Sequence, residues 1–271
     1  MEYITSIQNP HIREIRLLQK KKYRQGNGKF FIEGIKFVKE ALEESTHISK
    51  VIISERLDGC AGSGEDLQKI RDMNLHTLVV PHNLFTKISD TKTPQGILAV
   101  LNMHNYKVVD LYDKKNFFVI LDGIQDPGNM GTIIRTADAV GATGIVSTKG
   151  CVDIYNPKVL RATMGSLFRI PICYSEDVFG AIDDMKARGI RICAAHPRGD
   201  VTCFEMNLIK NIAIVIGNEA RGISEEIRRY ADVLVRIPMV GKAESLNASV
   251  AASILMYEIL RKGMMELGER S

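Results

Sequence analysis

The chain has 271 residues, 45% of them hydrophobic and 25% charged, with a net charge of +4. That is an ordinary globular composition, with room for one or two domains and a sizeable core. No apolar run approaches the ~18–20 residues of a transmembrane helix, and the opening MEYITSIQNPHIR lacks the apolar centre of a secretory signal.

The five cysteines (Cys60, Cys151, Cys173, Cys193, Cys203) show no CxxC pairing and are odd in number, which predicts buried thiols in a reducing cytoplasm. The six histidines have no metal-ligand spacing, so no metal is expected.

The charge is uneven. Residues 1–36 carry eight Lys or Arg and three acids, an excess larger than the net charge of the whole chain, so the positive field sits at one end. Residues 10–24 read as one amphipathic helix, with Pro10 in its first turn and Ile12, Ile15 and Leu18 as its apolar stripe. Arg13, Arg16, Lys20, Lys21, Lys22 and Arg24 occupy the rest. A charged run of this kind is either a solvated face or a phosphate-contacting one. Tyr23 and Phe30 nearby, as candidates for stacking on bases, favour RNA.

A small α/β domain follows. Strands are predicted at Lys29–Glu33, Lys50–Ser54, His76–Val80 and Ile97–Leu101, and helices at Gly34–Glu44, Glu65–Met73 and Pro81–Ile88. A Gly-rich turn falls at 58–64, and the loop DTKTPQ at 90–95 reads as a connection rather than a contact. The polar stretch 103–115 reads as a linker, giving domains at 1–106 and 116–271 joined by 107–115.

In the second part, apolar Phe117–Leu121 predicts a strand ending in Asp122-Gly123. The loop Asp126-Pro127-Gly128-Asn129 follows, with Asn129 as a candidate helix N-cap. Ile133, Ala137 and Val140 mark the buried face of the next helix, and Arg135 lies off that face. Strands are then predicted at Gly144–Thr148, Ile190–Ala194, Ile212–Ile216 and Val233–Ile237, with helices at Asn156–Ser166 and 176–188. Ile212–Ile216 is apolar throughout, as in a parallel strand buried on both faces. Ser245 is placed to cap a last helix with the stripe Leu246, Val250, Ile254, Tyr257. Strands alternating with helices predict an α/β fold with a mostly parallel sheet. No G-x-G-x-x-G or Walker A loop occurs, which argues against Rossmann oxidoreductases and P-loop enzymes.

Three stretches carry a resemblance. FFVILDGIQDPGNMGTIIRTADAVG (117–141), IVIGNEARGIS (214–224) and VRIPMVGKAESLNASV (235–250) are similar, in order and spacing, to the three motifs of the SpoU (TrmH-type) RNA 2′-O-ribose methyltransferases of the SPOUT class. Ala220 departs from the pattern, where that family usually has Gly. The opening, with Asn9-Pro10 and Phe30–Gly34, more loosely resembles the L30e-like substrate-binding domain that precedes the catalytic domain in the rRNA-modifying branch.

The resemblance implies a deep trefoil knot, which spacing does not show and which proteins otherwise avoid. It implies S-adenosylmethionine as cofactor, held by Gly217, Ile237 and Leu246 with Ala195 and Asn218 nearby. Asn129, Arg135, Glu219, Ser245 and Asn247 would form the reaction site. The same resemblance implies a homodimer whose site lies at the subunit interface, and methylation of a ribose 2′-hydroxyl in RNA, 23S-type ribosomal RNA first. Transfer RNA is the alternative. A non-catalytic RNA-binding protein of the same fold is the second class of reading, opposed by the presence of Asn129, Arg135, Glu219 and Asn247. A small-molecule nucleotide enzyme is the third, disfavoured by the basic N-terminal segment.

Overall fold

The computed structural model describes residues 1–44, 47–57, 70, 74–206 and 211–266. The Gly-rich turn at 58–64 and most of the helix expected at 65–73 lie outside them, as does Cys60. The chain divides into two compact units, Met1–His104 with Tyr155–Phe168, and Asn105–Ile154 with Arg169–Ser271.

In the first unit, β1 (Glu2–Tyr3), β4 (Thr77–Val80), β3 (Ile48–Ser54), β5 (Ile97–Asn102) and β2 (Lys29–Glu33) form one sheet in that order. β1 and β3 flank β4 in parallel, and β5 runs antiparallel to β3 and β2. α1 (Pro10–Leu18) starts where Asn9 accepts a hydrogen bond from His11 N, and Pro10 occupies its first position. Its Ile12, Ile15 and Leu18 pack with Leu84, Phe85 and Ile88 of α4 (His82–Ile88) onto Phe31, Ile52, Leu78, Leu98 and Val100. α3 (Ile35–Glu43) packs on β2 and β5 through Val38, Ala41 and Leu42.

The single helix expected over 10–24 is two. Lys20 is extended (φ −91°, ψ 126°) and α2 (Lys21–Asn27) begins after it, ending at Gly28 in the left-handed region. The buried Arg24 guanidinium donates to the carbonyls of Leu18 and Gln19 at 2.9 and 2.8 Å, closing the end of α1.

The second unit is a seven-stranded, all-parallel sheet, in the order β10 (Val201–Thr202), β12 (Val233–Arg236), β9 (Arg191–Ala195), β11 (Ile212–Gly217), β6 (Phe117–Asp122), β7 (Gly144–Thr148), β8 (Ile172–Ser175). β11 lies between β9 and β6, and Ile212 to Gly217 pair one for one with Phe117 to Asp122. Phe118, Ile120, Ala213 and Val215 face Ile182 and Met185 of α7 (Val178–Ala187) and Ile227 of α8 (Glu225–Tyr230). Successive strand residues alternate in direction, so Val119, Leu121, Ile214 and Ile216 serve the opposite face. α9 (Ala248–Glu266) packs on β11 and on α5 (Pro127–Ala139), which also touches β7. β8, β10 and α8 are not among the sequence expectations, since each is short.

Two parts of the expected domain layout differ from the compact units. Val108, Leu111 and Tyr112, expected in the linker, pack against the core of the second unit. Tyr112 lies edge-on to Phe118 and has the Arg188 guanidinium 4.1 Å over its ring. The segment 155–168 lies in the first unit. There α6 (Pro157–Thr163) packs on β2, Tyr155 stacks 4.5 Å from Phe30, and Arg161 pairs with Asp90 at 2.7 Å. Helix α6 also ends earlier than expected, because Met164 and Gly165 both take positive φ. The loop after α4 is pinned by Glu33, whose carboxylate accepts from Ser89 Oγ, Thr91 Oγ1 and Asp90 N.

Candidate active site

Three loops leave the carboxyl ends of central strands and meet. The first follows β6. Asp126, not Asn129, caps α5, its carboxylate accepting from Asn129 N at 2.8 Å. Pro127 fills the first helical position, so Asn129 sits within the first turn with its side chain free for a longer-range role. The second loop follows β11, where Asn218 and Gly222 exchange two backbone hydrogen bonds of 2.9 Å. A Cβ on Gly217 would collide with the Gly222 and Ile223 backbone, so only glycine fits there. Asn218 holds this turn. It donates to Gly123 O at 2.7 Å and accepts from Ala220 N and Arg221 N. The third loop follows β12 and ends at α9. Asn247, not Ser245, caps that helix, accepting from Ser249 N and Val250 N.

The loops are tied through side chains. Asn247 Nδ2 donates to Asn129 Oδ1 at 3.0 Å, and Asn129 Nδ2 donates to Glu219 Oε1 at 3.0 Å. Glu219 also accepts from Asp126 N and Gln125 N, at 3.0 and 3.2 Å. Burial pushes the Glu219 carboxyl up, but the hydrogen bonds from Asn129 and from these backbone groups outweigh it and hold the group below the usual carboxylate range. Glu219 is therefore an ionised clamp on the β6–α5 loop and a weak base.

Beside this chain lies a cavity of about 360 Å³. Of the expected cofactor residues, Ala195, Gly217, Asn218, Ile237 and Leu246 all line it, and so do Glu219 and Ser245 of the expected reaction site. Asn129 and Asn247 border it through the chain just described. Arg135 does not line it. It is exposed on α5, outside the cavity of its own chain. His196, Met239, Ala248 and Ala251 line the cavity and were not predicted. The run of small residues after Asn247 was the signal available for the last two, since small side chains leave space beside a helix.

The cavity suits an adenosyl group. Its volume falls in the range of small-ligand sites. Its walls are apolar side chains and strand-end backbone, which can bind an aromatic base and its ribose, and the charged Glu219 and Arg221 also line it.

In the first unit, Arg13, Arg16, Lys20, Lys21 and Lys22 are exposed, as a phosphate-contacting face requires. Arg24 is withdrawn from that set, because it is 3% exposed and bound to the end of α1. Phe30 is withdrawn as a stacking platform, because it is buried against Tyr155, whereas the half-buried Tyr23 packs against the core and keeps part of its surface.

A parallel α/β sheet with a cavity at its strand ends, in a chain that also carries a small α/β unit, is the architecture of the SPOUT-class methyltransferases. The model of the SpoU rRNA Methylase family matches residues 116–257, and that of the MRM3-like substrate binding domain matches residues 9–99. The chain belongs to the SpoU rRNA methylase family and is an S-adenosylmethionine-dependent RNA methyltransferase. It is 30% identical over 259 residues to the 23S rRNA (guanosine(2553)-2'-O)-methyltransferase RlmP of Bacillus subtilis, covering 96% of this chain and 99% of that one. The AdoMet-bound rRNA methyltransferase of Sinorhizobium meliloti superposes with a TM-score of 0.85 at 32% identity, over 96% of this chain and 97% of the other. The SpoU methyltransferase AviRb of Streptomyces viridochromogenes, in complex with AdoMet, does so with a TM-score of 0.84 at 27% identity, over 95% and 100%.

Proposed function

We propose that this protein transfers a methyl group from S-adenosylmethionine to a ribose 2′-hydroxyl of ribosomal RNA, and does so as a homodimer. The observation that carries the reading is the hydrogen-bonded chain Asn247–Asn129–Glu219, which ties the three motif loops together at the edge of the cavity. The backbone of Gly217, Ile237 and Leu246, with Ala195 and Asn218 beside them, would hold the cofactor in the cavity that they line. When bound, the cofactor supplies a methyl carbon already attached to a good leaving group.

The protein's task is then alignment, which is worth roughly 7–11 kcal/mol of a barrier of this kind. Asn129 and Ser245 present polar groups at the cavity edge, with Glu219 and Asn247 fixing Asn129 from either side. Glu219 is engaged as the clamp on the β6–α5 loop. Arg135 orients the 2′-hydroxyl, whose proton passes to solvent as the methyl group is transferred. The exposed bases of α1 and α2 hold the RNA backbone.

The dimer reading rests on where Arg135 stands. It is outside its own cavity, on a helix joined to α9 by a Thr136–Ser253 hydrogen bond of 3.1 Å. On α9, Val250 and Tyr257 are 46% and 52% exposed, one helical face apart from the buried Leu255, Met256 and Ile259. A second copy laid on this face covers the apolar residues and brings each Arg135 toward the partner's cavity. We propose the family's knotted threading for this segment, whose helix α9 packs on β11 and α5.

The test is transfer of labelled methyl to unmodified ribosomal RNA, with alkali-resistant sites mapped. Arg135→Ala is expected to lose about 10²–10³-fold in rate, as when one transition-state donor is removed, with cofactor affinity unchanged by calorimetry. Mixed dimers of Arg135→Ala with Asn129→Ala chains should regain activity at one site of two. Methylation of transfer RNA alone, or of a base atom, would replace the substrate assignment. RNA binding without transfer would favour the non-catalytic reading.

A further inference from the structure

Three metal-capable side chains that are far apart in sequence meet in the first unit. Glu2 lies on β1, His11 in the first turn of α1 and His76 directly before β4. One ligand atom of each lies within 4.8 Å of the other two. His76 Nε2 stands 3.7 Å from a Glu2 carboxylate oxygen, and the two imidazoles meet edge to face with centroids 5.3 Å apart. Strand pairing makes the cluster. β1 joins β4 in parallel with Glu2 opposite Leu78, which brings Glu2 beside the residues that enter β4. Spacing alone does not reveal it, because His11 and His76 lie 65 positions apart in the sequence.

We propose that Glu2, His11 and His76 form a binding site for a divalent transition metal of the zinc class, fastening the N-terminal strand to β4 and α1. Two imidazoles and a carboxylate are a donor set that zinc accepts, with a fourth position left to water. Magnesium and calcium prefer oxygen donors, so the nitrogen pair selects against them. Metal bonds of about 2.0–2.1 Å put tetrahedral donors roughly 3.3–3.5 Å apart. The Glu2–His76 pair is already close to that bite, and both side chains are about half exposed and free to turn. β1 is only two residues long and gains little from its own ladder. A metal there would hold an end that backbone pairing holds weakly.

His11 is prepared on its inner side. Its Nδ1 lies 2.9 Å from Lys50 Nζ, which also donates to Glu14 at 2.6 Å, so Nε2 is the nitrogen left for a metal.

The test uses metal-stripped full-length protein, equilibrium dialysis with Zn²⁺, and titration with Co²⁺ followed by its visible absorption. Wild type should bind one Zn²⁺ per chain and show a Co²⁺ spectrum of nitrogen and oxygen ligands without thiolate bands. His76→Ala and Glu2→Gln should each bind at least tenfold more weakly. Zn²⁺ should raise the melting temperature of wild type and leave that of His76→Ala unmoved. An unchanged circular dichroism spectrum and urea unfolding midpoint of the metal-free proteins show that the variants are folded. Absence of stoichiometric binding by wild type, thiolate bands, or unchanged binding by His76→Ala would overturn the site. None of these outcomes bears on the methyl-transfer reading.

Discussion

Two polar networks join distant parts of this chain, and they are built for different ends. In the catalytic unit, Asn247, Asn129 and Glu219 link segments up to 118 residues apart using one charge and neutral donors, at the edge of a cavity. In the N-terminal unit, the 6%-exposed Lys50 holds Glu14 at 2.6 Å and His11 at 2.9 Å, and Glu14 is shared with Lys29 at 3.2 Å. The first network keeps polar groups facing a place where ligands arrive. The second pairs charges beneath a sheet that α1 covers. A network of the first kind should matter more to turnover than to folding, and one of the second kind the reverse.

The largest effect is expected where the catalytic network meets its backbone support. Gly217→Ala puts a methyl group into the Gly222–Ile223 backbone, an overpacking that neither rotamers nor small shifts can relieve. Stability should fall by about 3 kcal/mol or more, and calorimetry should find no S-adenosylmethionine binding. Unchanged binding would mean that the β11 turn can open without loss, and would detach the cavity from the loop that frames it.

The comparison itself is tested by a pair of variants. Lys50→Met leaves Glu14 without its buried partner, and removal of one member of a buried pair costs about 3–5 kcal/mol. The lower end applies here, because Glu14 is partly exposed and keeps Lys29. Urea unfolding should show that loss while the methyl-transfer rate at low temperature stays within twofold. Asn129→Ala should do the opposite, lowering transfer about 10²-fold for roughly 1 kcal/mol of stability. If both variants lose stability alike, the two networks are not different in kind.

The reaction loops were legible in the sequence because their signals are local. An apolar strand, a Pro-Gly loop and a capped helix follow one another within 25 residues at 117–141. Even there the cap was misplaced. Asp126 and Asn129 are both good caps, and only the distant Glu219 decides that Asn129 is used elsewhere. The last helix shows a different limit. It is apolar almost all round, so periodicity finds a stripe at Val250, Ile254 and Tyr257 although the buried side is Ala252, Leu255, Met256 and Ile259. Arg24 shows a third. A count of bases treats every cation as solvated, and this one closes a helix end. The inclusion of 155–168 in the first unit follows from ring packing with Phe30 and Phe37, which no local pattern encodes.

The smallest effect separates the two carboxylates by what holds them. For Glu14, burial pushes the pKa up, but the hydrogen bonds and charges of Lys50 and Lys29 outweigh it and depress the value. For Glu219, burial is outweighed instead by Asn129 and backbone N–H groups. Both folded values lie below the ordinary carboxylate value of about 4.3. Each group's contribution is therefore fully present above that pH and is lost as pH falls through the depressed value. Acid should thus weaken both units below about pH 4.3. Salt should distinguish them, since it screens the attraction of the partly exposed Lys29 for Glu14 and leaves neutral dipoles nearly untouched. Added salt should flatten the acid limb of stability against pH in wild type and flatten it less in Glu14→Gln, whose remaining limb belongs to the amide-held Glu219 and to carboxylates such as Asp232 and Glu258 that pair with other cations. A salt response of the same size in Glu14→Gln as in wild type would place the ionic interaction elsewhere and erase the distinction between the two networks.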